Sequence, residues 1–176
     1  METIQVHGLP APDERSIEEL SAVLIDCVEG GASVSFMLPI ARATAIAFWR
    51  EVAASTARGE RILLVARDAS TQIVGTVQII LAQAENQPHR ADIAKMLVHR
   101  RARKRGVGAA LLAAAESAAL NAGKTLLVLD TASDAAERLY ARLGWQRCGV
   151  IPGYALLPGG GLCDTTFFYR TLANGR

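Results

Sequence analysis

The sequence has 176 residues, 51% of them hydrophobic, and a formal net charge of +2. This length supports one hydrophobic core and is short for two, so we expect a single domain over residues 1–176. The near balance of charge excludes a protein that is cationic throughout. No apolar run reaches the ~18 residues of a membrane span, so the composition predicts a soluble, cytoplasmic protein without a leader.

The cysteines and histidines predict no metal site. Cys27, Cys148 and Cys163 are far apart and form no CxxC pair, and the three histidines are scattered. An odd number of separated cysteines favours a reducing compartment.

The first half of the chain predicts a strand, two helices and a hairpin. The strand is TIQVHGL, residues 3–9. Ser16 is placed to cap the next helix, with Glu19 as its capping-box partner. A second helical pattern runs from about residue 40 to residue 58. Two apolar runs within residues 61–84, joined by a polar segment, indicate an antiparallel hairpin.

The second half predicts alternating strands and helices. Two apolar strands, 91–98 and 125–130, flank a helical pattern from about residue 108 to residue 122. Such a crossover within one sheet is right-handed and makes its two strands parallel. Ser133 can cap a further short helix, and two strand-like runs follow from residue 145. The pattern therefore predicts a mixed α/β sheet.

A cationic segment lies where the first of these strands leads into its helix. Five of the six residues from Arg100 to Arg105 are cationic, and Gly106 and Gly108 follow. The first N–H groups of a helix have no partner within the helix, and glycines let a ligand approach the main chain. We therefore expect an anion, a phosphate group above all, at this turn.

Two common phosphate motifs do not match. The dinucleotide fingerprint needs a third glycine where this chain has Leu111, and a Walker loop ending in Gly123-Lys124-Thr125 would need glycine at Ala118.

What does match is Arg103-x-x-Gly106-x-Gly108, which resembles the acyl-CoA signature R/Q-x-x-G-x-G/A of the GNAT N-acetyltransferase superfamily. The segment SDAAERLYARLGW resembles that family's N-x-x-A-x-x-x-Y-x-x-x-G-F pattern, with Ala136, Tyr140 and Gly144 matching. Ser133 stands for Asn and Trp145 for Phe. The tail from Gly144 onward is similar to the tabtoxin-resistance acetyltransferases.

The resemblance implies a single N-acetyltransferase domain with a mostly antiparallel sheet, in which a central parallel strand pair is flanked by helices. It implies acetyl-CoA as the acyl donor and no metal. The residues that it assigns to donor binding are Met96, Leu97, Val98, Arg103, Lys104, Arg105, Gly106, Val107, Gly108, Ala109 and Ser133. The acceptor that it implies is a small amine, such as the amino-acid-like toxin tabtoxinine-β-lactam, with another small amine or a peptide or protein amine as alternatives.

Direct acetyl transfer needs an acid for the leaving thiolate and a base for the amine. Tyr140 is the candidate acid, although Ala136, Tyr140 and Leu143 share one helical face and a core tyrosine would look the same. Asp92 and Asp130 are the candidate bases, because an aspartate within or ending an apolar strand needs a partner or a role. By strand alternation Asp92 shares a face with Ala94, Met96 and Val98; either carboxylate could instead cap a turn.

Several alternatives stay open at this point. A transfer through an acetyl-cysteine would use Cys27 or Cys163, but neither has a histidine placed to activate it, so small buried residues are the favoured interpretation. A nucleic-acid-binding module could use the basic segment, although the segment lacks interleaved aromatic residues for base stacking. A cationic segment that is only solvated would leave Gly106 and Gly108 unexplained. The acceptor pocket is expected between GGASVSFML (30–38) and GYALLPGGGLCDTTFF (153–168), and the final strands could pair in a homodimer.

Overall fold

The computed structural model describes residues 4–172 and contains one seven-stranded sheet with four helices. The strands are β1 (Gln5–Gly8), β2 (Arg61–Arg67), β3 (Ile73–Ile80), β4 (Arg90–Val98), β5 (Leu126–Thr131), β6 (Gln146–Leu156) and β7 (Leu162–Thr171). The helices are α1 (Glu14–Glu29), α2 (Arg42–Ala57), α3 (Val107–Asn121) and α4 (Asp134–Arg142). A 3₁₀ turn spans Arg100–Ala102. Thr3 of the first predicted strand lies outside the described residues.

The strand order is β1-β2-β3-β4-β5-β7-β6, and every neighbouring pair is antiparallel except β4 and β5. The predicted fold class, a mixed sheet with one central parallel pair, is confirmed. Helix α3 makes the crossover between β4 and β5, as the two buried strand patterns indicated.

Two hydrophobic clusters cover the two faces of the sheet. One contains α3 and Tyr140 of α4, with Leu111, Leu112 and Ala115 fully buried. The other contains α1 and α2, where Trp49 is completely buried. The alanine-rich sequence of α3 allows this helix to pack closely on the sheet.

The central parallel pair opens soon after it begins. Strand β4 pairs with β5 only from Arg90 to Asp92, opposite Leu126 to Val128. Beyond these positions β4 is bonded to β3 and β5 to β7, so their facing edges diverge. This divergence is the opening, and it exposes main-chain groups of β4 that no strand covers.

A β-bulge lies within β4 at the opening. Ala94 pairs with Gln78 and Leu97 pairs with Thr76, so two residues of β4 oppose one of β3, and Lys95 has φ of 48°. The predicted alternation over Asp92, Ala94, Met96 and Val98 is therefore wrong. Met96 and Val98 pack in the α3 cluster with the odd-numbered residues Ala91 and Ile93, because the extra residue shifts the side-chain period by one.

The cap of α1 also differs from the prediction. The helix begins at Glu14, and the Asp13 carboxylate accepts the main-chain N–H of Ser16 at 2.8 Å. Asp13 precedes the expected cap by three residues and is as good a capping residue as serine. Glu19 does not close a capping box; its carboxylate instead accepts the Arg67 guanidinium and the Ile73 N–H.

Candidate active site

The turn between β4 and α3 has the geometry of an anion cradle. Gly106 is the N-cap of α3 with φ of 82°, and Lys104 also has positive φ, 61°. No side chain caps this helix, so the first-turn N–H groups have no partner within it. A Cβ placed on Gly106 would have no atom within 4 Å. A phosphate group fits the open space in front of these donors.

Three of the five cationic side chains build the turn. The Asp26 carboxylate accepts the main-chain N–H of Arg100 at 2.7 Å and its Nε at 2.9 Å. Arg101 pairs with Asp68 at 3.1 Å, and Arg103 folds back so that its Nε donates to the Val98 carbonyl at 3.0 Å. Arg100, Arg101 and Arg103 therefore stabilise the turn by bonds within the protein, and the cationic residues that follow Arg103 are exposed.

Those exposed residues are Lys104 and Arg105. Val107 is 1% exposed, so its side chain belongs to the core and only its main chain can face a ligand. The turn after β4 lies where the sequence placed it, but three of its cationic side chains, those of Arg100, Arg101 and Arg103, are bonded to the protein itself.

Gly108 has a packing role beside the predicted ligand role. A Cβ at this position would lie 3.0 Å from Cδ2 of Leu139 and 3.6 Å from Cε of Met96. The missing side chain therefore lets the start of α3 approach α4, the helix that carries Tyr140. The start of α3 is therefore in contact with the helix that carries the candidate acid.

The uncovered edge of β4 belongs to Met96 and Val98. The N–H of His99 donates to the Val74 carbonyl of β3 at 2.9 Å. Because main-chain groups alternate in direction along a strand, those of Leu97 also point toward β3, whereas those of Met96 and Val98 point away from it; the Val98 carbonyl already accepts the Arg103 guanidinium and the Cys27 thiol. Of the three residues predicted to pair with the donor, these two have the required orientation.

Tyr140 contacts two aromatic rings in the cluster that contains α3. It is 4% exposed, and its ring centroid is 5.9 Å from that of Trp145 and 5.6 Å from that of Phe168. Burial raises the pKa of its hydroxyl, and the charge of Asp130 adds to this rise. The phenol is protonated at neutral pH, the raised pKa makes it a weaker proton donor than a free phenol, and its packing fits the core role.

Ser133 caps α4 as predicted, accepting the N–H of Ala136 at 3.4 Å.

The two candidate bases have different surroundings. The Asp92 carboxylate accepts the Arg90 guanidinium and the Gln83 amide, both at 3.2 Å, at the last paired position of β4. Asp130 lies beyond the paired segment. Burial raises the pKa of Asp130, while the Lys95 ammonium and a hydrogen bond from Thr165 lower it less. A carboxylate with a raised pKa and an open face is better suited to accept a proton.

Asp130 lies on the wall of a cavity of about 280 Å³. The lining residues are Ser33, Ser35, Phe36, Met37, Asp130, Tyr154, Ala155, Leu156 and Thr165. All except Asp130 come from the two stretches expected to form the acceptor pocket. The Ser33 hydroxyl donates to the Leu156 carbonyl at 3.0 Å, and the Leu38 N–H donates to the Pro158 carbonyl at 2.9 Å. These bonds hold the two stretches together.

Sequence reasoning missed Lys95, which lies beside this cavity. Lys95, at the bulge, donates its ammonium to the Ser35 hydroxyl at 3.1 Å, and Ser35 has φ of 76°. The available signal was a lysine in the middle of the apolar strand ADIAKMLV.

The cysteines do not have the surroundings of a nucleophile. Cys27 is 2% exposed, and burial raises the pKa of its thiol. The Cys163 thiol lies 3.6 Å from the Ser33 hydroxyl. Within residues 4–172, no group of three or more His, Cys, Asp or Glu side chains could hold a metal ion. No helix in the same range is long and apolar enough to cross a membrane.

A family model of the acetyltransferase (GNAT) domain matches residues 58–147, just over half of the chain. A structure assigned as an acetyltransferase from Salmonella typhimurium, solved with its cofactor acetyl-CoA, is 18% identical with a TM-score of 0.77, and the match covers 98% of this chain and 95% of that chain. A structure assigned as a phosphinothricin N-acetyltransferase is 18% identical with a TM-score of 0.76, covering 98% and 100%. A ribosomal-protein-alanine N-acetyltransferase from Brucella melitensis is 22% identical with a TM-score of 0.76, covering 96% and 99%. The chain belongs to the GNAT acetyltransferase family and is an acetyl-CoA-dependent N-acetyltransferase.

Proposed function

We propose that this enzyme acetylates the primary amine of a small, amino-acid-like molecule, such as tabtoxinine-β-lactam. The observation that carries this proposal is the cavity of about 280 Å³ with the Asp130 carboxylate on its wall. Pockets for small molecules typically measure ~300–1,000 Å³, so this cavity suits a compact acceptor. Among residues 4–172, Asp130 is the one charged residue in its lining, which favours a cationic amine.

The donor is bound mainly by main-chain groups. The N–H groups of Val107, Gly108 and Ala109 hold the pyrophosphate at the start of α3, with the side chains of Lys104 and Arg105 beside it. Arg103 acts through the Val98 carbonyl, which its guanidinium binds, and Gly106 supplies the turn. The fit rests on the open space in front of Gly106.

The arm of the donor runs along the uncovered edge of β4. Met96 and Val98 pair with its amide groups as a neighbouring strand would, and the Val98 N–H polarises the thioester carbonyl. Leu97 supports this edge through its bonds to β3, and Ser133 contacts the arm from the start of α4.

Transfer then needs one proton acceptor and one proton donor. Asp130 removes a proton from the acceptor ammonium, directly or through one water molecule, and the free amine attacks the thioester carbon. As the C–N bond forms and the C–S bond breaks, the Tyr140 hydroxyl protonates the leaving sulfur, and the second proton that the acylated nitrogen loses returns Tyr140 to its neutral form. Asp92, bound to Arg90 and Gln83, supports β4 without taking part.

The likeness to a phosphinothricin N-acetyltransferase supports a small acceptor, and the likeness of the tail to tabtoxin-resistance acetyltransferases supports a protective role against a toxin. The likeness to a ribosomal-protein-alanine N-acetyltransferase makes a peptide amine the alternative acceptor that an experiment must compare with the small amine.

A product screen tests the proposal. The purified enzyme and acetyl-CoA are incubated with amino acids, phosphinothricin, tabtoxinine-β-lactam, polyamines and peptides, and acetylated products are identified by mass spectrometry. We expect amino-acid-like acceptors to have the highest kcat/KM. Preference for the N-terminal or lysine amine of a peptide would overturn the proposed acceptor class.

A further inference from the structure

The bulge in β4 directs a charged side chain toward the acceptor cavity. Lys95 has φ of 48°, and its ammonium donates to the hydroxyl of Ser35, which has φ of 76° and lines the cavity. A residue with a Cβ in this backbone region is strained, and strained residues persist where the surrounding structure over-determines them, often at functional sites. Here two of them are bonded to each other beside one cavity.

The Lys95 ammonium contacts a hydroxyl group and an aromatic ring. Within residues 4–172, no carboxylate lies within 4.0 Å of Nζ, although the side chain is half-buried. Its other neighbour is the ring of Phe48, with the centroid 5.8 Å away. A half-buried cation normally has an anionic partner, because burial disfavours the charge.

Lys95 and Asp130 are oppositely charged groups on one side of the sheet. Asp130 lines the cavity, and Lys95 is one hydrogen bond away from it through Ser35. Burial lowers the pKa of Lys95 while the charge of Asp130 opposes this, so the two groups are electrostatically coupled. A simple amine or a polyamine would interact only with the Asp130 carboxylate. An amino acid has an ammonium group for Asp130 and a carboxylate for Lys95.

We propose that Lys95 binds the carboxylate of the acceptor while Asp130 receives its amine, so that the enzyme selects amino acids by their zwitterionic form. This inference rests on the proposed function and adds to it the residue that determines the acceptor class. Lys95 is a specificity-determining residue. When the acceptor carboxylate binds, the Lys95 ammonium either gives up its hydrogen bond to Ser35 or donates to Ser35 and the carboxylate together.

Matched acceptors test the role of Lys95. The amino acid with the highest kcat/KM in a panel of proteinogenic amino acids and phosphinothricin is compared with its α-carboxamide, which keeps the amine and loses the carboxylate charge. In the unsubstituted enzyme we expect the amino acid to be preferred at least tenfold, because the amide lacks a charge-assisted hydrogen bond. Lys95→Met should raise KM for the amino acid at least tenfold and leave the amide within about threefold.

Two controls separate a specificity role from a structural one. Lys95→Arg keeps the charge and should restore at least part of the preference for the amino acid, and acetyl-CoA affinity and melting temperature show whether each variant keeps the donor site and the fold. Equal loss for both acceptors in Lys95→Met, or an unsubstituted enzyme that uses the amide as well as the amino acid, would overturn this inference alone. Absence of transfer to any small amine would overturn the proposed function as well.

Discussion

Replacing Gly106 with alanine probes the donor turn directly. The residue has φ of 82°, and an added Cβ would have no protein atom within 4 Å. The substitution therefore causes backbone strain without a steric clash inside the protein. A left-handed conformation costs a residue with a Cβ ~1–2 kcal/mol, which for a chain of this size lowers the melting temperature by roughly 2–8 °C.

The new methyl group would occupy the space that the pyrophosphate needs. Loss of one charge-assisted hydrogen bond costs ~1.5–3 kcal/mol, so we expect the dissociation constant for acetyl-CoA to rise roughly 10- to 100-fold. Isothermal titration calorimetry measures this change, and differential scanning calorimetry measures the loss of stability.

Gly123 provides a matched control at the other end of the same helix. It has φ of 76°, and an added Cβ there also has no neighbour within 4 Å. Gly123→Ala should lose a similar amount of stability and keep its affinity for acetyl-CoA. Equal affinities in Gly106→Ala and Gly123→Ala would refute the assignment of this turn to the donor.

Four further predictions concern the chemistry and the turn. Tyr140→Phe should lower kcat by roughly 10²-fold or more with little change in acetyl-CoA affinity; unchanged kcat would remove the hydroxyl from the mechanism. Asp130→Asn should lower kcat/KM by a similar factor at neutral pH. Asp92→Asn should keep turnover and lose only ~0.2–1 kcal/mol of stability, because it removes a partly exposed ion pair. A larger loss of kcat/KM in Asp92→Asn than in Asp130→Asn would exchange the roles of the two carboxylates. Cys27→Ala should retain acetyl transfer and form no acetyl-enzyme in mass spectra, and a trapped acetyl-cysteine would contradict direct transfer. Burial alone would raise the pKa of Asp26, but hydrogen bonds from Arg100 outweigh this effect and hold the pKa below 3.8. The stabilisation from the ionised Asp26 carboxylate is therefore present above that pH and is lost as the pH falls through the folded-state pKa. Asp26→Asn should be less stable than the unsubstituted enzyme at pH 7, and the two stabilities should converge in acid unfolding experiments.

The sequence predicted the crossover unit well because its signals are strong and local. Two apolar runs flank a helical pattern, and only a few connections of that kind exist, so the parallel pair followed. The turn before α3 could likewise be predicted from Gly106 and Gly108. The pairing of Arg100 with Asp26 and of Arg101 with Asp68 could not, because each partner is distant along the chain and is brought close only by the sheet.

The bulge explains why the face of β4 was predicted wrongly. Strand alternation assumes one residue for each position of the partner strand, and the additional residue at Lys95 reverses the sides of Met96 and Val98. Nothing in the sequence of β4 alone specifies which of its residues has no partner on β3. The lysine within an apolar strand was the one local sign that this position is unusual.

A crystal structure of the enzyme with coenzyme A and the preferred amine tests the central claim most directly. We expect the pyrophosphate against the N–H groups of Val107 to Ala109, and the amine nitrogen within hydrogen-bond distance of the Asp130 carboxylate or joined to it by one water molecule. Coenzyme bound away from this turn, or an amine bound outside the cavity that Asp130 lines, would contradict it.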